Sequence, residues 1–115
     1  MKAKPCILVP GRGYVLCDSA VATHVTLNFP GPVGLLTLPI LGMSFTRAGT
    51  NCWSWNLDVD KPTLRPSVLT QGTSFEKQLK YRCHSWVTEG KVQFLDDTTH
   101  ELRGQTIKLL DIETP

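Results

Sequence analysis

The sequence predicts a small, mainly β single domain. We expect an antiparallel sheet or sandwich, or a partly open barrel, with a C-terminal hairpin and at most one short helical turn. Three observations predict this class. Apolar runs are short and often alternate with polar residues, which is the period of strands. The 8 prolines and 9 glycines are scattered through the 115 residues, as turns between short strands require. Long amphipathic patterns with a helical period do not occur.

The first half of the chain predicts four short strands. They lie at residues 6–9, 14–17, 23–28 and 34–38. Turns rich in proline and glycine separate several of them, because proline fixes φ and glycine accepts positive φ. The third strand is rich in β-branched residues with period-two alternation. Within one domain of residues 1–115, we therefore expect residues 1–50 to form divergent N-terminal strands or an arm, and residues 51–110 to hold the sequence motifs.

The second half predicts further extended segments. Residues 51–56 alternate apolar and polar side chains, so that the two tryptophans share one face. Residues 60–67 are predicted to be extended because each of their prolines disfavours helix in the residue before it. Residues 71–77 predict a polar loop. Residues 98–102 predict one helical turn capped by Thr98, and residues 106–112 a last strand.

A hairpin is the clearest local signal in the sequence. Residues 79–87 and 91–95 flank Glu89-Gly90, and glycine at the second loop position suits a type I′ turn. Paired residues of a hairpin point to the same side of the sheet. This register predicts that His84 and Asp97 share one face as diagonal neighbours, while Cys83 and Thr98 share the other.

The hairpin face with His84, Asp97 and His100 is the predicted site. Carboxylates orient imidazoles, and both groups serve in acid–base catalysis and bind divalent metals. The alternative is a structural hydrogen bond, which a His beside an Asp on a strand more often forms. Cys83 is expected to be either a small buried hydrophobic residue or a nucleophile with His100 as its base. His84 cannot serve Cys83, because adjacent strand residues point to opposite faces.

Composition limits the classes of partner. The net charge of +2 does not indicate a nucleic-acid or membrane surface. The apolar residues 33–43 are too short to cross a bilayer and include a proline, and residues 6–9 are too short for a signal peptide. A protein that stays inside the cell is the expectation. The four cysteines permit disulfides, but free thiols or a metal site are expected without an export signal.

The chain resembles a family common in bacteriophage genomes, the domain-of-unknown-function family numbered 6527, which is often mislabelled ammonia monooxygenase. The resemblance covers most of residues 52–108. The matching motifs are residues 53–56, 61–67, 82–87, 94–95, 99–102 and 104–106, together with Gly90 and Asp97. The resemblance implies a phage protein that works in the host cytoplasm or in the virion.

The same resemblance implies a zinc site in relatives. Its cysteines would fall at positions 17, 20, 83 and 98, with a histidine at position 24. This chain has Ala20 and Thr98, so two of the four ligands of a structural zinc site are missing. We therefore expect at most a degenerate site of Cys17, His24 and Cys83. We expect either no cofactor or one divalent metal ion, with zinc as the first candidate.

Two functions follow as hypotheses. The first is a small phage accessory protein that acts by binding a phage or host protein. The predicted contact residues are aromatic, basic and hydroxyl side chains: Trp53, Trp55, Arg65, Arg82, Ser85, Trp86 and Thr99. The alternative is a metal-dependent hydrolase that uses His84, Asp97 and His100, with Ser85 or Thr99 near the substrate. The sequence gives no oligomeric state.

Overall fold

The computed structural model describes residues 1–40, 52–73 and 80–112. Asn51, Leu79 and residues 74–77 of the predicted loop lie outside the described residues. The described part consists of nine strands and one 3₁₀ turn at Ser19–Val21. The strands are β1 (Ala3–Val9), β2 (Gly13–Leu16), β3 (His24–Phe29), β4 (Gly34–Pro39), β5 (Ser54–Trp55), β6 (Leu64–Thr73), β7 (Lys80–Thr88), β8 (Lys91–Phe94) and β9 (Thr106–Lys108).

These strands form two antiparallel sheets that share one core. The first sheet has the order β2-β1-β3-β4, and the second has the order β5-β6-β7-β8-β9. One buried cluster contains Val25 and Phe29 from the first sheet and Val68, Val87 and Phe94 from the second. The predicted small, mainly β domain is confirmed in its sandwich form. Residues 1–40 are part of this core, because their strands supply one of its two layers.

Alternation of side chains explains which face of each strand is buried. In β3, Val25, Leu27 and Phe29 are buried, while the residues between them are partly exposed. In β7, the odd-numbered residues 83, 85 and 87 are buried, and His84 and Trp86 lie on the outer face. The outer face of the second sheet therefore carries the side chain of His84.

The predicted hairpin is confirmed. Val87 pairs with Val92 and Ser85 with Phe94. Glu89 and Gly90 have φ values of 49° and 78°, and positive φ at both loop positions is the property of a type I′ turn. The turn therefore fixes the register that places His84 on the outer face.

Two local predictions are wrong. The 3₁₀ turn lies at Ser19–Val21, and Thr98 caps no helix, because its hydroxyl bonds the main chain of His84 instead. Residues 71–73 are not loop: they extend β6 through pairs with β7, such as Gly72 with Tyr81. Among residues 1–40, 52–73 and 80–112, no helix is long and apolar enough to cross a membrane.

Candidate active site

Three side chains form a hydrogen-bonded chain on the outer face of the second sheet. Ser67 Oγ lies 2.9 Å from His84 Nε2. On the other side of the ring, His84 Nδ1 lies 2.9 Å and 3.0 Å from the two carboxylate oxygens of Asp97. A hydroxyl, an imidazole and a carboxylate in this order have the geometry of a Ser–His–Asp triad, which is recognised by its geometry and not by sequence position.

The carboxylate decides the tautomer of the imidazole. An ionised Asp97 only accepts hydrogen bonds, so His84 Nδ1–H donates to it and carries the ring proton of neutral His84. His84 Nε2 is then left with a free lone pair and accepts the hydrogen bond of the Ser67 hydroxyl. The ring is therefore held with its basic nitrogen on the serine. The His84 and Asp97 side chains are 26% and 47% exposed, so solvent reaches the pair.

A bulge in β6 presents Ser67 to the histidine. Leu64 pairs with Val87 and Val68 pairs with Ser85, with a register shift between them. Three residues of β6 thus lie opposite the single residue Trp86 of β7. Bulges redirect side chains and occur often next to active sites. Here the bulge places Ser67 beside His84, although the two residues are not partners in the strand ladder.

Arg65 and Trp53 fix the bulge. Arg65 Nη1 donates to the carbonyl oxygens of Leu64 (2.7 Å) and Val87 (3.0 Å), so that its guanidinium bridges β6 and β7 where the ladder is interrupted. The guanidinium carbon lies 5.2 Å from the centroid of the Trp86 ring, within the range of a cation–π contact. The Trp53 indole donates to the Ser67 carbonyl at 3.2 Å. Arg65 therefore holds the bulge at its start, and Trp53 holds it at the main chain of the serine.

His100 does not join His84 and Asp97. Its ring packs edge-on against the buried Phe94, with centroids 5.0 Å apart, and the Leu102 N–H donates to its Nδ1 at 3.3 Å. Its Nε2 is buried and has no hydrogen-bond partner among the described residues. Phe94 lies on the core side of the sheet, and His84 lies on the outer side. His100 thus contributes to packing, and Ser67 completes the group that sequence reasoning assigned to His84, Asp97 and His100.

We predict that His100→Ala lowers the free energy of unfolding by about 1–3 kcal/mol and leaves the chemical reactivity of Ser67 unchanged, because the ring only packs against the core. Burial lowers the pKa of His100. The neutral ring therefore stabilises the fold above the ordinary pKa of about 6.5, and this contribution is lost as the pH falls through the lowered folded pKa. Urea unfolding at pH 7.5 and 5.5 should show a smaller pH difference for the variant than for the wild type. Loss of Ser67 reactivity in a folded variant would contradict this role.

Ser85 and Cys83 face the core and not the outer face that carries His84. Ser85 is 0% exposed and alternates with the outward-facing His84, so the predicted contact between Ser85 and a substrate is wrong. Cys83 is buried in the core, and burial raises the pKa of its thiol to about 11. Because the thiolate is the reactive form, Cys83 is not suited to be a nucleophile.

The degenerate metal site is also not formed. Cys17 follows β2 and partly packs against the core, where burial and the nearby Cys6 raise its pKa. The His24 ring contacts Tyr14 with centroids 4.9 Å apart, and Cys83 lies in the other sheet. In the part of the chain that the structure describes, no group of three or more His, Cys, Asp or Glu side chains could hold a metal ion. The prediction of metal binding is therefore wrong for these residues.

The remaining predicted contact residues lie at different places in the fold. Trp55 is partly buried, and its indole donates to the Asp58 carbonyl at 3.3 Å. Arg82 is exposed, and its main-chain N–H donates to the Thr99 hydroxyl at 2.8 Å. Trp53, Arg65 and Trp86 lie at the bulge, as described above. Of these three residues, Trp53 contacts Ser67 directly, through its hydrogen bond to the serine carbonyl.

Sequence reasoning missed Ser67 as a functional residue. It lies in the extended segment 61–67, and no glycine-flanked nucleophile motif surrounds it. Its partner His84 comes 17 residues later. The available signal was that motif segment 61–67 ends in a serine and motif segment 82–87 contains a histidine, but their pairing across the bulge could not be read from spacing.

Fold and site together define a small antiparallel β-sandwich with a Ser–His–Asp triad on the outer face of one sheet. The chain belongs to the BubE family, described as the bacterial ubiquitination-like system serine protease, whose model matches residues 35–95. The match covers just over half of the 115 residues and includes Ser67 and His84. No curated protein and no solved structure matches the chain significantly.

The family match corrects the earlier predictions of identity and function. The matching family is a bacterial protease family, so the assignment to the phage family of unknown function is wrong. The predicted phage accessory protein that acts by binding is wrong for the same reason. The alternative of a metal-dependent hydrolase is not supported either. The family is named as a serine protease, and the residues that the structure describes form no group that could hold a metal ion.

Proposed function

We propose that this protein is a serine protease in which Ser67 is the nucleophile, His84 the general base and Asp97 the residue that orients the base. The continuous hydrogen-bonded chain from Ser67 through His84 to Asp97 carries the proposal. The family description agrees with it, because it names a serine protease. Both observations select serine chemistry over the metal and cysteine chemistry considered from the sequence.

The geometry supports acyl transfer in two steps. Ser67 Oγ attacks the carbonyl carbon of the scissile bond, and its proton moves to His84 Nε2. The tetrahedral intermediate collapses with cleavage of the C–N bond, while His84 returns the proton to the leaving amine. A water molecule, deprotonated by His84, then attacks the carbonyl carbon of the acyl-Ser67 ester. The ester C–O bond breaks, His84 returns the proton to Ser67 Oγ, and the carboxylic acid product is released. Asp97 stays ionised and stabilises the imidazolium that forms in each step. This chemistry requires no cofactor.

The proposed substrate is a protein of a bacterial ubiquitination-like system. The family description supplies this proposal, and the open site is compatible with it. His84 and Asp97 are partly exposed, so that a protein segment can approach the serine from solvent. The expected protein partner of this chain is accordingly its substrate.

A fluorophosphonate probe tests the proposal, because it phosphonylates activated serines. The wild type should take up one probe per chain, and mass spectrometry should place the adduct on Ser67. His84→Ala should remain folded and lose the labelling, because the hydroxyl is not activated without its base. A folded wild-type protein that is not labelled, or that is labelled at another residue, would overturn the proposal.

A further inference from the structure

We propose that Thr98 is a positioning residue of the triad, which holds the turn that carries Asp97 onto the main chain of His84. This inference rests on the proposed serine protease function. Thr98 is a polar residue that is only 1% exposed. Its hydroxyl lies 3.0 Å from His84 N and 2.9 Å from His84 O. It therefore accepts from and donates to the same residue of β7.

The turn that carries Asp97 begins where the strand ladder ends. β8 ends at Phe94, and the Thr98 N–H then donates to the Leu95 carbonyl at 3.0 Å, which closes a tight turn over Asp97. An isolated surface turn of this kind has few contacts that fix its carboxylate. The carboxylate nevertheless lies within 2.9–3.0 Å of His84 Nδ1 through both oxygens.

Both ends of this turn are attached to His84 itself. At its start, the Leu95 N–H donates to the His84 carbonyl at 2.8 Å. At its end, the Thr98 hydroxyl bonds the N–H and the carbonyl of the same residue. The main chain of His84, the turn and the carboxylate–imidazole bond thus form closed rings. Only a few covalent bonds separate Asp97 from these two attachment points, so its carboxylate has little freedom to move relative to the imidazole.

The neighbouring Thr99 makes the same kind of contact away from the triad. Its N–H donates to the Arg82 carbonyl at 2.9 Å, and its hydroxyl accepts from the Arg82 N–H at 2.8 Å. Thr99 therefore ties the chain to β7 two residues away from His84. The pair provides a matched comparison: loss of either hydroxyl removes threonine-to-strand bonds, but only Thr98 acts on the residue that Asp97 orients.

The test is Thr98→Val, which keeps the shape of the side chain and removes the hydroxyl. Without it the turn relaxes, and small misplacements of catalytic groups are costly. We expect the rate constant of serine phosphonylation at saturating fluorophosphonate to fall by about 10–100-fold, with little change in the probe concentration that gives half-maximal rate. Thr98→Ser should restore a rate within about threefold of the wild type. Thr99→Val should keep the wild-type rate, whatever its effect on the melting temperature.

A second measurement does not depend on activity. The proton on His84 Nδ1 is hydrogen-bonded to a carboxylate and should give a downfield proton NMR signal in the wild type, in Thr98→Ser and in Thr99→Val. Thr98→Val should weaken or lose this signal while the protein remains folded. If Thr98→Val does not fold, Thr98→Ala removes the hydroxyl with a smaller side chain and is judged by the same two measurements.

The outcomes separate this inference from the proposed function. If Thr98→Val and Thr99→Val are equally active, and both keep the downfield signal, Thr98 is only a structural residue and the inference is overturned. If they slow the reaction equally, the inference is overturned as well, since the effect is then one of general stability. The proposed function fails separately, when Ser67→Ala still reacts with the probe at the wild-type rate.

Discussion

Ser67→Ala is expected to abolish hydrolysis and fluorophosphonate labelling in a protein that still folds. Alanine removes the oxygen that attacks the carbonyl, and loss of the nucleophile of a comparable triad lowers turnover by about 10⁶-fold. Ser67 is only partly buried, and among the described residues its one side-chain hydrogen bond is to His84, so we expect the free energy of unfolding to change by less than about 1 kcal/mol. The measurement is the release of p-nitrophenolate from p-nitrophenyl acetate, with its initial burst of one product per active chain.

Ser54→Ala is the matched control for this prediction. Ser54 is an exposed serine on β5, and its hydroxyl donates to the Arg65 carbonyl at 3.4 Å, close to the same bulge. Among the described residues, its hydroxyl makes no hydrogen bond to His84. We expect the burst and the turnover of Ser54→Ala to equal those of the wild type. A burst that survives in Ser67→Ala would move the nucleophile to another residue.

Asp97→Asn is expected to lower the rate of acylation by about 10⁴-fold while the fold is retained. An asparagine can present its NH₂ group to His84 Nδ1, which then has to accept the hydrogen bond and leaves the proton on Nε2. The imidazole in that tautomer cannot take the proton of Ser67. The substitution also removes the negative charge that stabilises the imidazolium. The measurement is the rate constant of fluorophosphonate modification, which can be followed over several orders of magnitude by changing the probe concentration and the reaction time.

The neighbouring carboxylate provides the control. Asp96 is exposed in the same turn and makes no side-chain hydrogen bond or ion pair among the described residues. Asp96→Asn changes the net charge by the same amount and should leave the rate within about twofold, since exposed charges act weakly on their surroundings. Equal effects of the two substitutions would show that the charge of the turn matters, and would contradict an orienting role for Asp97.

Local sequence signals predicted most of the fold. Strand positions followed from period-two patterns, and the Glu89-Gly90 turn fixed the register of β7 and β8, because turn type and pairing are determined by adjacent residues. The same register placed His84 on one face and Cys83 on the other. The predicted helical turn failed at Thr98 because its hydroxyl found main-chain partners on β7, and a tertiary contact of this kind overrides a capping pattern.

The site could be predicted only in the part that the hairpin controls. His84 and Asp97 flank one hairpin, and their contact depends on its register. Ser67 comes from β6, and its contact with His84 depends on the bulge that Arg65 bridges. The sequence predicted only that this segment is extended. Hydrophobic periodicity does not reveal that β6 has two more residues than β7 at this point of the ladder. His100 was grouped with His84 by closeness along the chain, although the turn after Asp97 carries it to the side of Phe94.

By itself, the sequence determined a small β domain and the face of the hairpin on which His84 lies. These features depend on side-chain alternation and on one tight turn, which are encoded over a few residues. The tertiary structure decided that the partner of this histidine is Ser67 and not the second histidine, His100. That choice depends on how β6 is bulged against β7 and on which side of the sheet His100 packs. Contacts between distant segments set both, and the spacing of residues along the chain does not carry them.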